Sequence, residues 1–204
     1  MRLGIFGGTF DPPHLAHLVL AAEALDQLAL VKVLWVLTLN PPHKANQSIT
    51  RLQHRLDMVQ AVVEPDPQFE LSKIDIDRPP PHFAVDTVGM LREKYPEADL
   101  IYLMGSDSLL NLNSWYRPIE FVRRCDGIGV MQRPGSQTSD LGSEELSLAI
   151  RSKLLIFEAP LIEISATQIR ERIKENRPYR YYLPPQVYKI IKERNLYKND
   201  RDHG

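Results

Sequence analysis

Gly7-Gly8-Thr9-Phe10-Asp11-Pro12-Pro13-His14-Leu15-Ala16-His17 is the stretch that decides the fold, because it joins a strand to a helix through a loop suited to phosphate. The apolar residues 3–6 before it read as a buried strand. The two glycines let the backbone turn and approach a ligand closely, and Asp11 ahead of Pro12 signals a helix start. Such a start presents unpaired backbone N–H groups and the positive end of the helix dipole, so the junction predicts an anion site. His14 and His17, three residues apart, are expected to share one helical face there and to donate hydrogen bonds to phosphate oxygens. The loop lacks both a Gly-Lys-Ser/Thr ending and a three-glycine dinucleotide fingerprint, which sets it apart from the two common phosphate motifs.

Far downstream, Ile164-Ser165-Ala166-Thr167-Gln168-Ile169-Arg170 reads as a second helix start. Ser165 can cap it, Thr167 falls in its first turn and Arg170 follows a turn later. Alone, a capping serine and an exposed arginine are ordinary. A ligand with several phosphates, however, would have more oxygens than one helix end can satisfy, and Arg170 supplies a planar fork suited to phosphate. The two helix starts are therefore expected to face one cleft.

Between and beyond them, strands alternate with helices. Leu15, Val19, Ala22 and Leu25 recur at helical steps to about Leu28, and residues 31–37 make a second buried strand. Ser48 or Thr50 can cap a helix to about Val63, residues 69–76 read as a strand and 84–95 as a helix. Strands follow at 100–104, 127–131 and 154–157, with a polar loop at 134–145 opening a helix. This alternation predicts an α/β fold, a Rossmann-like doubly wound parallel sheet covered on both faces. Ligands in such sheets lie beyond the carboxyl ends of the strands where strand order reverses, and Gly7-Gly8 and Gly105-Ser106-Asp107 stand at strand ends. We divide the chain into a Rossmann-like core, 1–164, and a small C-terminal helical extension, 165–204, packed on the same domain; Pro184-Pro185 opens its last helix.

The 204 residues fit one domain with a full core. With 25 basic and 26 acidic residues the net charge is −1, so no general field favours nucleic acid or an anionic membrane, and phosphate attraction must be local. The single Cys125 excludes an internal disulfide, fits a reducing compartment and reads as a buried core residue. Residues 28–39, the longest apolar stretch, contain Lys32 and fall short of the roughly 20 residues that span a bilayer. The N-terminus carries glycines, Asp11 and two prolines where a signal peptide needs an apolar run. A cytoplasmic protein is expected. Composition leaves open whether copies associate as a homo-oligomer.

The first segment resembles the signature of the HxGH nucleotidyltransferases, and the second resembles the Ile-Ser-Ser-Thr-x-Ile-Arg signature of their adenylyltransferase branch. Pro41-Pro42-His43-Lys44, Gly105-Ser106-Asp107-Ser108-Leu109-Leu110, Trp115-Tyr116 and Tyr181-Tyr182-Leu183-Pro184 stand in the order seen in bacterial nicotinate-mononucleotide adenylyltransferases. The similarity runs from about residue 2 to residue 197. It implies transfer of the adenylyl group of ATP to nicotinate mononucleotide, the 5′-phosphate attacking the α-phosphorus in line while pyrophosphate leaves. Because the attacking phosphate is already anionic, catalysis needs positioning and charge neutralisation rather than a nucleophilic side chain.

On that resemblance, His14, His17 and Arg170 are the catalytic set, with His17 nearest the charge developing at the α-phosphate. Gly7, Gly8, Thr9 and Phe10 hold ATP from the first loop, Ser165 and Thr167 hold the β- and γ-phosphates, and Gly105 and Asp107 flank the adenosine. Pro42, His43, Lys44, Ala84, Trp115 and Tyr116 form the mononucleotide side, Trp115 lying against the electron-poor pyridine ring. For Trp115 the polar neighbours Asn111, Asn113 and Ser114 favour exposure, against the core packing usual for a lone tryptophan. Arg55 receives no catalytic role, since an exposed helical salt bridge explains it about as well. His43, His54, His82 and His203 are too scattered to hold a metal, and Asp107 alone makes neither a metal site nor a base. Magnesium is expected with the polyphosphate, held by phosphate oxygens and water. Neighbouring phosphate should favour charged histidines, so activity is expected to fall as they deprotonate.

The chain departs from the family pattern at Ala16, where glycine is usual, and at Ala166, where serine is usual. His82-Phe83-Ala84 replaces a frequent Ser-Tyr-Thr whose threonine helps hold the nicotinate carboxylate, which leaves backbone N–H groups for that task. The alternatives are an adenylyltransferase preferring nicotinamide mononucleotide or another phosphorylated acceptor, and a nucleotide-binding regulator without catalysis. Pyrophosphate release separates them.

Overall fold

Six parallel strands stand in the order β3-β2-β1-β4-β5-β6 in a computed structural model that describes residues 1–39, 49–132 and 142–198. The strands are β1 (Arg2–Gly8), β2 (Lys32–Leu37), β3 (Phe69–Ser72), β4 (Asp99–Gly105), β5 (Gly127–Gln132) and β6 (Leu154–Glu158). Between and after them run α1 (Leu15–Gln27), α2 (Leu52–Val63), α3 (Ala84–Lys94), α4 (Ser106–Leu110), α5 (Pro118–Arg124), α6 (Glu144–Arg151), α7 (Ala166–Lys174) and α8 (Pro185–Glu193). The expected doubly wound α/β sheet is what the chain forms.

Alternating side chains divide the interior into two layers. Leu3 and Ile5 of β1, Leu34 and Val36 of β2 and Leu100, Tyr102 and Met104 of β4 point to one face, where α3, α4, α5 and α6 cover them. Phe6, Val33, Trp35, Leu37, Ile101 and Leu103 point to the other, against α1 and α2. Ile169 and Ile173 of α7 and Val187 and Ile191 of α8 belong to that second layer, so the C-terminal helices share the core of the sheet.

Strand order reverses between β1 and β4, which pair in parallel from Arg2 opposite Asp99 to Ile5 opposite Tyr102. Their carboxyl ends, Gly8 and Gly105, therefore open side by side at the switch point, the crevice where this architecture takes ligands.

Local differences from the expected elements have identifiable causes. The first helix begins at Leu15 with His14 as its N-cap residue, four positions after Asp11, because the Asp11 carboxylate is engaged in tertiary hydrogen bonds instead of capping. Strand β3 stops at Ser72, since the chain turns at Lys73, whose carbonyl accepts the N–H groups of Ile76 and Asp77. Arg51, not Thr50, precedes α2, and Ser48 lies outside the described residues. The short helices α4 and α5 are additional to the expected elements. No helix among the described residues is long and apolar enough to cross a membrane.

Candidate functional site

The two glycines of the first motif lie within β1, and what requires them is close packing. A Cβ on Gly7 would meet the Tyr102 hydroxyl at 2.7 Å, and one on Gly8 the Phe10 ring at 2.9 Å. The reversal of direction falls instead on Phe10, whose φ is +47°. Its side chain is buried against Phe6 and Trp35, ring centroids 5.5 and 5.0 Å away, so its side chain braces the loop from within the core.

That aromatic floor also supports His17, whose ring lies edge-on to Phe10 at 5.2 Å and to Phe6 at 5.8 Å. The His14 ring stacks on His17 with centroids 3.7 Å apart, and the His14 backbone N–H donates to Nδ1 of His17 at 3.2 Å. The histidines thus form one unit at the start of α1, as their spacing predicts. In the absence of a ligand, burial governs the charge of His14. Burial pulls the pKa of His14 down to about 4, because the imidazolium would lose its hydration, and the buried Nδ1 has no hydrogen-bond partner among the described residues. Without a bound anion His14 is a neutral donor at neutral pH.

The second motif reaches the first directly. Ser165 caps α7 by accepting the Gln168 N–H at 3.1 Å, which orients the helix start. Arg170 donates to the main-chain carbonyl of Asp11 at 2.8 Å and to Thr167 Oγ1 at 3.3 Å. Residues 159 positions apart in the chain thereby share one crevice. Asp11 itself accepts the Thr50 N–H at 3.1 Å and the Tyr197 hydroxyl at 2.8 Å.

Arg55 corrects the expectation of an exposed salt bridge. It is buried, and its guanidinium donates to the carbonyls of Thr9 at 3.0 Å, Thr38 at 2.9 Å, Leu39 at 3.2 Å and Thr50 at 2.9 Å. These carbonyls belong to the loops after β1 and β2 and before α2, so one side chain ties the rim of the crevice together. Burial draws the Arg55 pKa below the ordinary arginine value, and the charge of Asp11 opposes that shift. From the sequence, Asp11, Arg55 and Tyr197 receive no site role: Asp11 lies inside the first motif as a helix-start signal, and Tyr197 stands in a largely polar tail that carries no cue.

On the β4 side, Gly105 forms the start of α4 with open space where a Cβ would stand, and Asp107 is exposed in the first turn. A shallow recess lined by Ala16, Leu20, Met131, Pro160, Leu161 and Ile162 runs along α1. Farther out, Phe83 stacks on Tyr116 with centroids 4.1 Å apart, which places Tyr116 beside Ala84 at the start of α3. Trp115 is half-buried rather than exposed, one side against Phe121 at 5.2 Å and Tyr102 at 6.0 Å. Asp75, buried, accepts from Thr87 Oγ1 at 2.7 Å and pairs with Arg78 at 3.0 Å, and Arg78 also donates to the Pro81 carbonyl, fixing the loop that leads into α3. Pro42, His43 and Lys44 lie outside the described residues.

Residues 5–172 match the family described as cytidylyltransferase-like. A protein of Thermomicrobium roseum named probable nicotinate-nucleotide adenylyltransferase is 39% identical over 197 residues, covering 97% of this chain and 92% of its own. The nicotinate-nucleotide adenylyltransferase of Bacillus subtilis is 35% identical over 198 residues, covering 97% and 99%. Among solved structures, Plasmodium falciparum nicotinic acid mononucleotide adenylyltransferase complexed with NaAD shares the fold at a TM-score of 0.75 and 18% identity, covering 96% of this chain and 97% of that one.

Proposed function

The chain belongs to the cytidylyltransferase-like family and, within it, to the nicotinate-nucleotide adenylyltransferases, and from that membership we propose how its crevice carries out adenylyl transfer. The reaction joins nicotinate mononucleotide to the adenylyl group of ATP, releasing nicotinate adenine dinucleotide and pyrophosphate in NAD biosynthesis. The observation that carries the assignment of residues is the bond from Arg170 to the Asp11 carbonyl, which unites both phosphate motifs at the switch point.

In this reading the backbone N–H groups after Gly8 and the hydroxyl of Thr9 receive ATP phosphate oxygens. His14 and His17 donate to the α-phosphate side, and Arg170, Thr167 and the capped start of α7 hold the β- and γ-phosphates. Charge building on the leaving pyrophosphate then meets fixed donors that need no reorganisation. The adenine lies near Gly105 and Asp107 and against the recess containing Ala16. The pyridine ring of the acceptor lies by Trp115 and Tyr116, its carboxylate at the N–H groups that open α3 after Ala84. Pro42, His43 and Lys44 are assigned to the same acceptor side by family likeness.

Magnesium enters with the triphosphate as part of the substrate. Among the described residues no three His, Cys, Asp or Glu side chains converge into a metal cage, and phosphate oxygens with water suit this small hard cation. We treat 165–204 as the part that supplies the triphosphate clamp to the 1–164 core, and we assign the chain to the cytoplasm, where its substrates would be met.

The test is pyrophosphate release with ATP and magnesium, comparing nicotinate mononucleotide, nicotinamide mononucleotide and phosphopantetheine. The acid mononucleotide should be turned over fastest. Nucleotide binding with no pyrophosphate from any acceptor would replace catalysis with a regulatory role.

A further inference from the structure

Asp11 holds its carboxylate out of water in the middle of the nucleotide loop, with partners from three distant parts of the chain. Oδ2 accepts the Thr50 N–H at 3.1 Å and Oδ1 accepts the Tyr197 hydroxyl at 2.8 Å, while the main-chain carbonyl of the same residue accepts Arg170 at 2.8 Å. Chemistry would favour a different pairing. A guanidinium next to a carboxylate forms a charge-assisted, often bidentate pair that is stronger than its bond to a carbonyl. Arg170 nevertheless sits on the carbonyl, and both carboxylate oxygens are taken by neutral donors.

Tyr197 is suited to that task. It is buried, and Leu196 before it is buried in the same core layer, so the ring is held rigidly. Burial and the Asp11 charge push its pKa well above the ordinary tyrosine value, so the hydroxyl keeps its proton and donates throughout the working pH range. The positive charge of Arg170 is also felt at this hydroxyl, which places the three groups within electrostatic reach of one another.

We propose that Tyr197 is a positioning residue for adenylyl transfer: by occupying Asp11 Oδ1 it prevents the carboxylate from capturing Arg170, whose fork stays turned to the triphosphate. An Arg170–Asp11 ion pair would spend the N–H groups and cancel the charge that the β- and γ-phosphates need. A neutral hydroxyl satisfies the carboxylate without adding charge to the crevice.

Tyr197→Phe keeps the buried ring and removes only the donor. Followed by pyrophosphate release, its KM for ATP should rise about ten-fold, the loss of one charge-assisted contact, while KM for nicotinate mononucleotide stays within about two-fold. In an Arg170→Ala background the same change should leave KM for ATP unaltered, because the group it acts through is gone. An equal rise in both backgrounds, or lowered thermal stability with KM for ATP unchanged, overturns the proposal. If the single variant fails to fold with its carboxylate unpaired, Asp11→Asn combined with Tyr197→Phe removes that buried charge. It should match Asp11→Asn alone in KM for ATP, and a further ten-fold rise overturns the idea. Because the proposal rests on Arg170 holding triphosphate, failure of that assignment has its own signature: Arg170→Ala would bind ATP as the wild type does, and both would fall together.

Discussion

The His14 backbone N–H donates to Nδ1 of His17, and this single bond sets the tautomer of the second ring. An N–H is always a donor, so Nδ1 must accept, and neutral His17 carries its proton on Nε2. The dyad therefore offers Nε2–H of His17 to a ligand, with the ring braced from behind by Phe10 and Phe6.

His17→Ala should lower kcat by about 10²–10³-fold, the usual cost of removing one preorganised donor from a developing negative charge, with KM for nicotinate mononucleotide little changed. Steady-state pyrophosphate release measures both. A loss confined to KM would move His17 out of the reacting centre.

Protonation of His14 ties stability to pH in a defined window. Its folded pKa of about 4 lies below the ordinary value of 6.5, so between these limits the unfolded chain binds more protons. Stability is therefore full above about pH 6.5 and is lost as pH falls toward 4, by up to about 1.4 kcal/mol per unit. Urea denaturation across this range should show a steeper decline for the wild type than for His14→Asn. Parallel curves would mean that His14 does not carry the dependence.

Removing the buried guanidinium in Arg55→Met should cost about 3 kcal/mol or more, because the carbonyls of Thr9, Thr38, Leu39 and Thr50 lose their donor together. Denaturant midpoints at constant slope report it. A surface ion pair would have cost no more than about 1 kcal/mol.

Ala84→Thr places a hydroxyl at the start of α3, beside the Phe83–Tyr116 stack. It should raise kcat/KM for nicotinate mononucleotide relative to nicotinamide mononucleotide by about ten-fold, the worth of one hydrogen bond to a carboxylate. An unchanged ratio would place the carboxylate elsewhere.

The sheet was legible because its strands are short apolar runs and its helices recur at three- and four-residue steps; the two phosphate motifs were legible because helix starts carry local signals such as Ser165. Other features depend on tertiary context. Nothing near Asp11-Pro12 announces that the carboxylate will serve Thr50 and Tyr197 instead of a helix, so the start of α1 was placed too early. Arg55 sits among His54, Leu56 and Asp57 like any solvent-facing arginine, and only the convergence of three loops makes it a buried tie. Trp115 has polar neighbours in sequence but Phe121 and Tyr102 in space. The helix α4 is a single short turn, too brief for a periodic signal.

The hydroxyl that completes the Asp11 cluster belongs to a residue 186 positions later. During translation the nucleotide loop leaves the ribosome long before Tyr197, and its carboxylate acceptor waits for that residue to emerge. A nascent chain stalled before Tyr197 should thus hold the sheet's first strands without a finished grip on ATP, so that the ability to consume the nucleotide arrives only once Tyr197 has been added.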